Sequence, residues 1–258
     1  MTVLSLQRRN EIIALLSKHT FYGLSQLAQD LGVSISTARR DLDDLEREGL
    51  VKRTHGGVMI ISDKSALPIF NDRQSVMSAE KAAIGKKAAA MVEDGDTIII
   101  DGGTTPYQVA LHLQQKHVQV ITNSLQVANL FADSTNVQLI STGGSLYPGT
   151  GVYLGPYAEN MLRNVRAQKA FIGVAGITPD GLYNSNALVV ETENRMLEAA
   201  SEVYIVADHT KFGRLALAHL CDFNHITSII TDTSTGSPQQ LQKTLESKTQ
   251  IIYVRCKY

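Results

Sequence analysis

The chain has 258 residues, 43% hydrophobic and 19% charged, which fits one large domain or a small domain joined to a medium one. Lys and Arg number 24 against 25 Asp and Glu, a formal net charge of −1, so a polyanionic partner has to be argued from local residues. Cys221 and Cys256 are too few for a disulfide framework and lack metal-ligand spacing, the N-terminus carries no secretory pattern, and no apolar run reaches the roughly 18 residues of a membrane span; the expected address is the cytoplasm, with no membrane partner.

The first part of the chain, 1–59, is short and helical. Apolar spacing predicts a helix over Gln7 to Lys18, with Ile12, Ile13 and Leu16 on one face. Ser25 is expected to cap a second helix, Gln26 to Leu31, and Gly32 to supply the turn between two crossing helices. Ser34 caps a third, whose core stripe is Ala38, Leu42 and Leu45, and Gly49 ends it. That stripe turns Ser36, Thr37 and Arg40, flanked by Arg39, to the opposite face. Short hydroxyls allow close approach to phosphates, and an Arg fork pairs with guanine O6 and N7, so these are residues suited to a major groove. Leu50 to Ile60 alternates as a hairpin with its tip near His55, Gly56 and Gly57, a wing that brings Lys52, Arg53 and His55 to the sugar-phosphate backbone. The competing reading is a dimerisation or partner-docking module, since the bases of this part barely outnumber Glu11, Asp30, Asp41, Asp43, Asp44, Glu46 and Glu48.

Residues 60–78, polar, aperiodic and interrupted by Pro68, read as a linker. From 79 to 258, short apolar runs at 97–101, 118–122, 137–141, 170–174, 203–207, 226–231 and 251–254 alternate with helical stretches at 80–92, 105–115, 124–132, 191–200 and 238–246. This is a βαβ pattern, hence an α/β domain with a largely parallel sheet and helices on both faces, whose ligands bind at the carboxyl ends of strands. Three such ends are small and rich in donors: Asp101, Gly102, Gly103, Thr104 and Thr105; Thr122, Asn123 and Ser124; Thr142, Gly143, Gly144 and Ser145. Gly allows close approach of the backbone and the following helix offers unpaired N–H groups, which suits a phosphate. Each turn is equally explained as a tight strand-to-helix connection. No Walker A or G-x-G-x-x-G pattern is present, and the seven histidines show no metal spacing, so neither cofactor nor metal is expected.

Two sets of motifs carry a family resemblance. The run Val33 to Leu42, with Leu45, Glu46, Gly49 and Leu50 and then Arg53 to Gly57, resembles the DNA-binding signature of the DeoR family of bacterial transcription regulators, with Thr37, Arg39 and Arg40 matching its Thr and Arg positions. The residue after the Thr, usually a larger aliphatic, is Ala38. Asp101–Thr105, Thr122–Ser124, Gly143-Gly144, Phe171–Gly176, Asp208–Gly213 and Ile229–Asp232 resemble successive motifs of its sensor domain. The resemblance implies a winged helix-turn-helix on operator DNA, and a ribose-5-phosphate isomerase-like sensor for a phosphorylated sugar. It puts the phosphate near Gly103, Thr104, Thr105, Asn123 and Ser124, with Lys211 as a cationic contact beside Asp208. Gly181 to Asn186 and Glu191 to Glu193 would cover the sugar end. There the chain departs from the family pattern, with Val189 at a usual acidic position and Glu193 at a frequent Lys position.

The expected function is a sequence-specific DNA-binding regulator, a repressor of a carbohydrate-metabolism operon controlled by a phosphorylated sugar or related metabolite and acting as a homo-oligomer, dimer or tetramer. The alternative is a sugar-phosphate isomerase-like enzyme in which Asp101, Glu191, Asp208 and Lys211 supply a base and an electrophile; it leaves the wing unexplained.

Overall fold

The structure, a computed structural model, describes residues 8–9, 11–12, 15–16, 22–47, 51–54, 57–60, 70–233 and 244–256. It divides into two compact units, Met1–Ala66 and Leu67–Tyr258.

In the first unit residues 8, 9, 11, 12, 15 and 16 are helical. They are followed by β1 (Tyr22–Gly23), α1 (Leu24–Asp30), α2 (Ile35–Arg47), β2 (Val51–Thr54) and β3 (Gly57–Ile60). Ile12, Leu16, Leu27, Leu42, Leu45, Val51 and Val58 form its core, and Ala38 is fully buried, so the expected stripe of the third helix faces inward. Between α1 and α2, Gly32 has φ +63°, where an L side chain is strained; its N–H donates to the Gln29 carbonyl and that of Val33 to the Ala28 carbonyl. Two details differ from expectation. α1 starts at Leu24 with Gly23 at its cap, so Ser25 lies in the first turn rather than capping it. β1 pairs antiparallel with β3, Tyr22 opposite Val58, adding a third strand to the β2–β3 wing. So short a strand, two residues next to a helix, leaves no alternation in the sequence.

The second unit begins with α3 (Phe70–Ser75) and α4 (Ser78–Ala89). The segment 60–78 is therefore not linker throughout: residues 70–75 are helical, and buried Phe70 meets the Tyr107 ring edge-on at 5.4 Å between centroids. Pro68 argues against a helix through the whole segment, not against one that starts after it.

Seven strands form one sheet: β4 (Thr97–Ile100), β5 (Val118–Thr122), β6 (Val137–Ser141), β9 (Ala167–Ile172), β12 (Ala200–Val206), β14 (Ser228–Asp232) and β15 (Gln250–Val254). Their order is β15-β14-β12-β9-β4-β5-β6 and every adjacent pair is parallel. The apolar runs are continuous because both faces are buried. Ile98 and Ile100, Val120, Phe171, Tyr204 and Ile230 pack on one side beneath α4, α5 (Thr104–Leu111) and α6 (Leu125–Phe131). Ile99, Ile121, Ala170, Ile172, Ile205 and Ile229 pack on the other, beneath α7 (Pro156–Arg163) and α8 (Ala187–Ala199). Three features were not expected: α7 itself, the hairpin of β7 (Ser145–Tyr147) and β8 (Val152–Leu154), and a small antiparallel sheet of β10 (Gly176–Thr178), β11 (Gly181–Asn184) and β13 (Ala218–Cys221). Of the helix expected over 238–246, residues 244–246 are described and are helical.

Candidate functional site

The exposed side of α2 carries the residues expected to read a groove. Ser36, Arg39 and Arg40 are exposed and Thr37 partly so, while Ala38, Leu42 and Leu45 are buried behind them. Ser34 caps the helix: its Oγ accepts the Thr37 N–H at 3.2 Å and lies 2.9 Å from the hydroxyls of Ser36 and Thr37. This fixes the start of α2 in the orientation a recognition helix needs, with polar groups at its N-terminal end. Lys52 and Arg53 belong to β2 of the wing, their side chains lying outside the described residues, as does His55.

The second site lies where the sheet changes direction. From β4 the chain runs outward through β5 to β6; from β9, beside β4, it runs the other way through β12, β14 and β15. The crevice at such a point, beyond the carboxyl ends of the strands, is where open α/β sheets bind ligands. A cavity of about 250 Å³ occupies it.

Its floor is the turn between β4 and α5. Asp101 is 3% exposed, and its carboxylate accepts the N–H of Gly173 at 3.1 Å, while the N–H groups of Gly102 and Gly103 also favour its charged form. Burial nevertheless pushes its pKa up to about 6. The Gly102 and Gly103 N–H groups lie near Asp101, and the first turn of α5 adds the N–H groups and hydroxyls of Thr104 and Thr105 to the same lining. No side chain fits at Gly102, where a Cβ would meet Val152 Cγ1 at 2.0 Å.

Four cations line one end: Arg73 from α3, Lys81 from α4, and Lys211 and Arg214 after β12. Lys81 is 4% exposed and donates to the Arg73 carbonyl at 2.5 Å. Burial lowers the pKa of Arg73, Lys81 and Lys211; Asp208 partly offsets this for the two lysines and Asp101 for Arg73. The Arg73 Nε is buried with no hydrogen-bond partner. Desolvated cations held together against partial compensation are a standing demand for an anion.

The other wall is Glu193 of α8, 1% exposed, whose two carboxylate oxygens each accept from Asn184 Nδ2 at 2.7 Å. Burial first, and then the charge of Asp101, raise its pKa well above the ordinary carboxylate value.

Of the residues expected to bind an effector, Asp101, Gly102, Gly103, Thr104, Thr105, Asp208 and Lys211 line this cavity. Asn123, Ser124, Gly143, Gly144 and Glu191 lie outside its lining. Ser124 caps α6 by accepting the Val127 N–H at 3.3 Å. Asn123 is fully buried behind Gly102, with both polar side-chain atoms unpartnered. Gly143 and Gly144, at φ +62° and +113°, make the turn from β6 to β7. Glu191 is exposed: on α8 the pair Val189 and Glu193, four residues apart, faces the cavity, and Glu191 points away from it. Arg73, Lys81 and Arg214 were missed. Arg73 stands in a segment without periodicity, and Lys81 looks like any solvated helix Lys.

Residues 8–64 match a family model described as the DeoR-like helix-turn-helix domain, and residues 76–233 one described as the DeoR C terminal sensor domain. The chain belongs to the DeoR family. Among its DeoR-like relatives the lactose phosphotransferase system repressor of Lactococcus lactis subsp. lactis is 34% identical, over 92% of this chain and 94% of that protein. The glycerol-3-phosphate regulon repressor of Escherichia coli (strain K12) is 32% identical over 88% and 90%, and the HTH-type transcriptional regulator IolR of Bacillus subtilis (strain 168) 34% over 88% and 91%. A solved ribose 5-phosphate isomerase A from Methanocaldococcus jannaschii is 17% identical with a TM-score of 0.39, covering 53% of this chain and 55% of that one, too slight a likeness to argue chemistry from. The DeoR chain is a DNA-binding regulator by family, not an enzyme, and the isomerase alternative falls away. Among the described residues no group of His, Cys, Asp or Glu could hold a metal ion, and no helix is long and apolar enough to cross a membrane.

Proposed function

We propose that this DeoR-family protein is a cytoplasmic repressor of a carbohydrate-metabolism operon, and that a phosphorylated sugar or related metabolite sets its affinity for operator DNA. The observation that carries the effector class is the convergence of Arg73, Lys81, Lys211 and Arg214 on the first turn of α5 in the crevice between β4 and β9. The phosphate sits among these cations and the donors of Thr104 and Thr105, and the carbon skeleton extends toward Asp101, Asn184 and Glu193. The names of the lactose and glycerol-3-phosphate repressors support the same class.

The operator is read by Ser36, Thr37, Arg39 and Arg40 in the major groove, with Ser34 ordering the helix start and Lys52, Arg53 and His55 on the backbone. A homo-oligomer, dimer or tetramer, presents paired winged helices to repeated half-sites. Arg73 belongs to α3, the first described helix after the segment 61–69, so an effector that binds one arrangement of α3 more tightly shifts the population of DNA-binding states. The test is fluorescence anisotropy of the full chain on DNA upstream of its own gene, titrated with phosphorylated sugars and their unphosphorylated parents. Specific binding released or tightened by a phosphorylated compound alone supports the reading. Specific binding with no response to any of them removes the effector class, and no specific binding to any genomic fragment removes the repressor.

A further inference from the structure

Resting on the reading of this cavity as a sugar-phosphate site, we infer that Glu193 selects the end of the effector remote from the phosphate: it admits a carbon end bearing hydrogen-bond donors and refuses one bearing a carboxylate. The charges in the cavity are sorted. Asp208 bears on Lys81 and Lys211, and Arg73 and Asp101 bear on each other. The charge that bears on Glu193 is that of another carboxylate, Asp101. Its hydrogen bonds come from one amide group, Asn184 Nδ2, which also reaches the Gly173 carbonyl at 3.1 Å. The Gly173 N–H in turn reaches Asp101 Oδ2 at 3.1 Å.

The Gly173 peptide and Asn184 therefore link two nearly fully buried carboxyl groups, Asp101 and Glu193, both lining the cavity. A ligand group that reaches them meets mainly acceptor oxygens. A hydroxyl or an ammonium supplies the donors these require. A ligand carboxylate supplies only acceptors and brings further negative charge to a wall where burial and the proximity of Asp101 and Glu193 already disfavour charge, as the raised pKa values of both groups record. The four cations at the other end satisfy the phosphate and leave this discrimination to Glu193.

The test measures binding to the full-length protein by isothermal titration calorimetry with matched ligands: glycerol 3-phosphate against 3-phosphoglycerate, and glucose 6-phosphate and glucosamine 6-phosphate against 6-phosphogluconate. In every set that binds, the donor-bearing member is expected to bind at least tenfold more tightly than the acid. Glu193→Gln, which keeps an acceptor for Asn184, narrows the gap, and Glu193→Lys abolishes or inverts it. Thermal melting of each variant confirms that it is folded. An acid that binds wild-type protein as tightly as its counterpart overturns the inference while leaving the sugar-phosphate reading intact. A preference unchanged in both folded variants removes Glu193 as its source. Failure of every phosphorylated ligand to bind overturns the effector class and this inference with it.

Discussion

Asp41, on the helix that carries Ser36, Thr37, Arg39 and Arg40, is held by Arg8 through two hydrogen bonds, Nε to Oδ2 at 2.7 Å and Nη2 to Oδ1 at 3.1 Å. Next to it, Arg9 Nη2 reaches Asp44 at 3.3 Å. Two of the acids that weigh against DNA in a simple charge count thus face the first helical segment, and the outer face of α2 keeps Arg39 and Arg40. The Asp41 side chain is 7% exposed and that of Arg8 23%, so removing the carboxylate takes away both of these hydrogen bonds in a partly buried setting. Asp41→Ala is expected to destabilise the N-terminal unit by about 1–3 kcal/mol, between the values for exposed and buried pairs, and to weaken operator binding through loss of folded unit rather than loss of contact. Urea denaturation alongside anisotropy checks this: a variant of undiminished stability would show that the pair is merely superficial.

Arg40 is exposed on the opposite face from the core stripe. Arg40→Ala is expected to cost about 1–3 kcal/mol at the operator and to relax preference at one base position, whereas Lys52→Ala weakens all sequences alike and lowers the salt slope by about 1. Binding to a set of single-base operator variants at two salt concentrations separates the roles, and unchanged sequence preference in Arg40→Ala would take that residue out of the readout.

Thr104 stands in the first turn of α5 and lines the cavity. Thr104→Ala and Arg73→Gln are each expected to leave operator affinity without effector within about 0.5 kcal/mol of wild type, because neither belongs to the DNA-binding unit. The concentration of effector needed for half response should rise at least tenfold in both. A retained response in both variants would move the phosphate elsewhere.

The layered sheet was legible because parallel strands buried on both faces must be apolar throughout, as at Ile98, Ile99 and Ile100. The recognition helix was legible because Ala38, Leu42 and Leu45 fix its rotation. The cavity was only half visible. Its floor, Asp101 to Thr105, is one contiguous run, but its cations come from α3, α4 and the loop after β12, which only the folded chain brings together. Glu191 and Glu193 cannot be told apart by residue type; the i, i+4 spacing of Val189 and Glu193 decides which faces inward once α8 is seated.

Asp101 makes stability depend on pH in a defined sense. Its folded pKa, about 6, lies above the model-peptide value of 3.8, so the folded state binds more protons between these values and its stability falls as pH rises through them. Glu193, raised also, acts in the same direction. The contribution is fully present below about pH 4 and lost above pH 6. Asp101→Asn removes the titration, so its stability relative to wild type should improve by on the order of 2 kcal/mol between about pH 4 and pH 7.5. Chemical denaturation of both proteins across that range reads the difference directly, and a constant offset would show that Asp101 titrates alike in the folded and unfolded chain.

Phe70 helps to fasten α3 to the rest of the sensor unit. Its N–H donates to the Gly149 carbonyl at 2.9 Å and its ring packs edge-on against Tyr107 of α5. It thereby ties α3 to the loop between β7 and β8, which contributes Thr150 to the cavity, and to the helix whose first turn carries Thr104 and Thr105. Phe70→Ala removes the ring but not the backbone bond. The expected cost is about 3 kcal/mol or more of local packing, felt as earlier loosening of α3 than of the sheet. If Arg73 carries the effector signal into α3, as proposed, that loosening has a functional signature distinct from loss of the site: effector binding weakens modestly, while the change in operator affinity on saturation with effector collapses. Hydrogen exchange over residues 70–75 together with anisotropy at saturating effector tests both halves. Full coupling in a variant whose α3 exchanges freely would show that the signal leaves the cavity by another route.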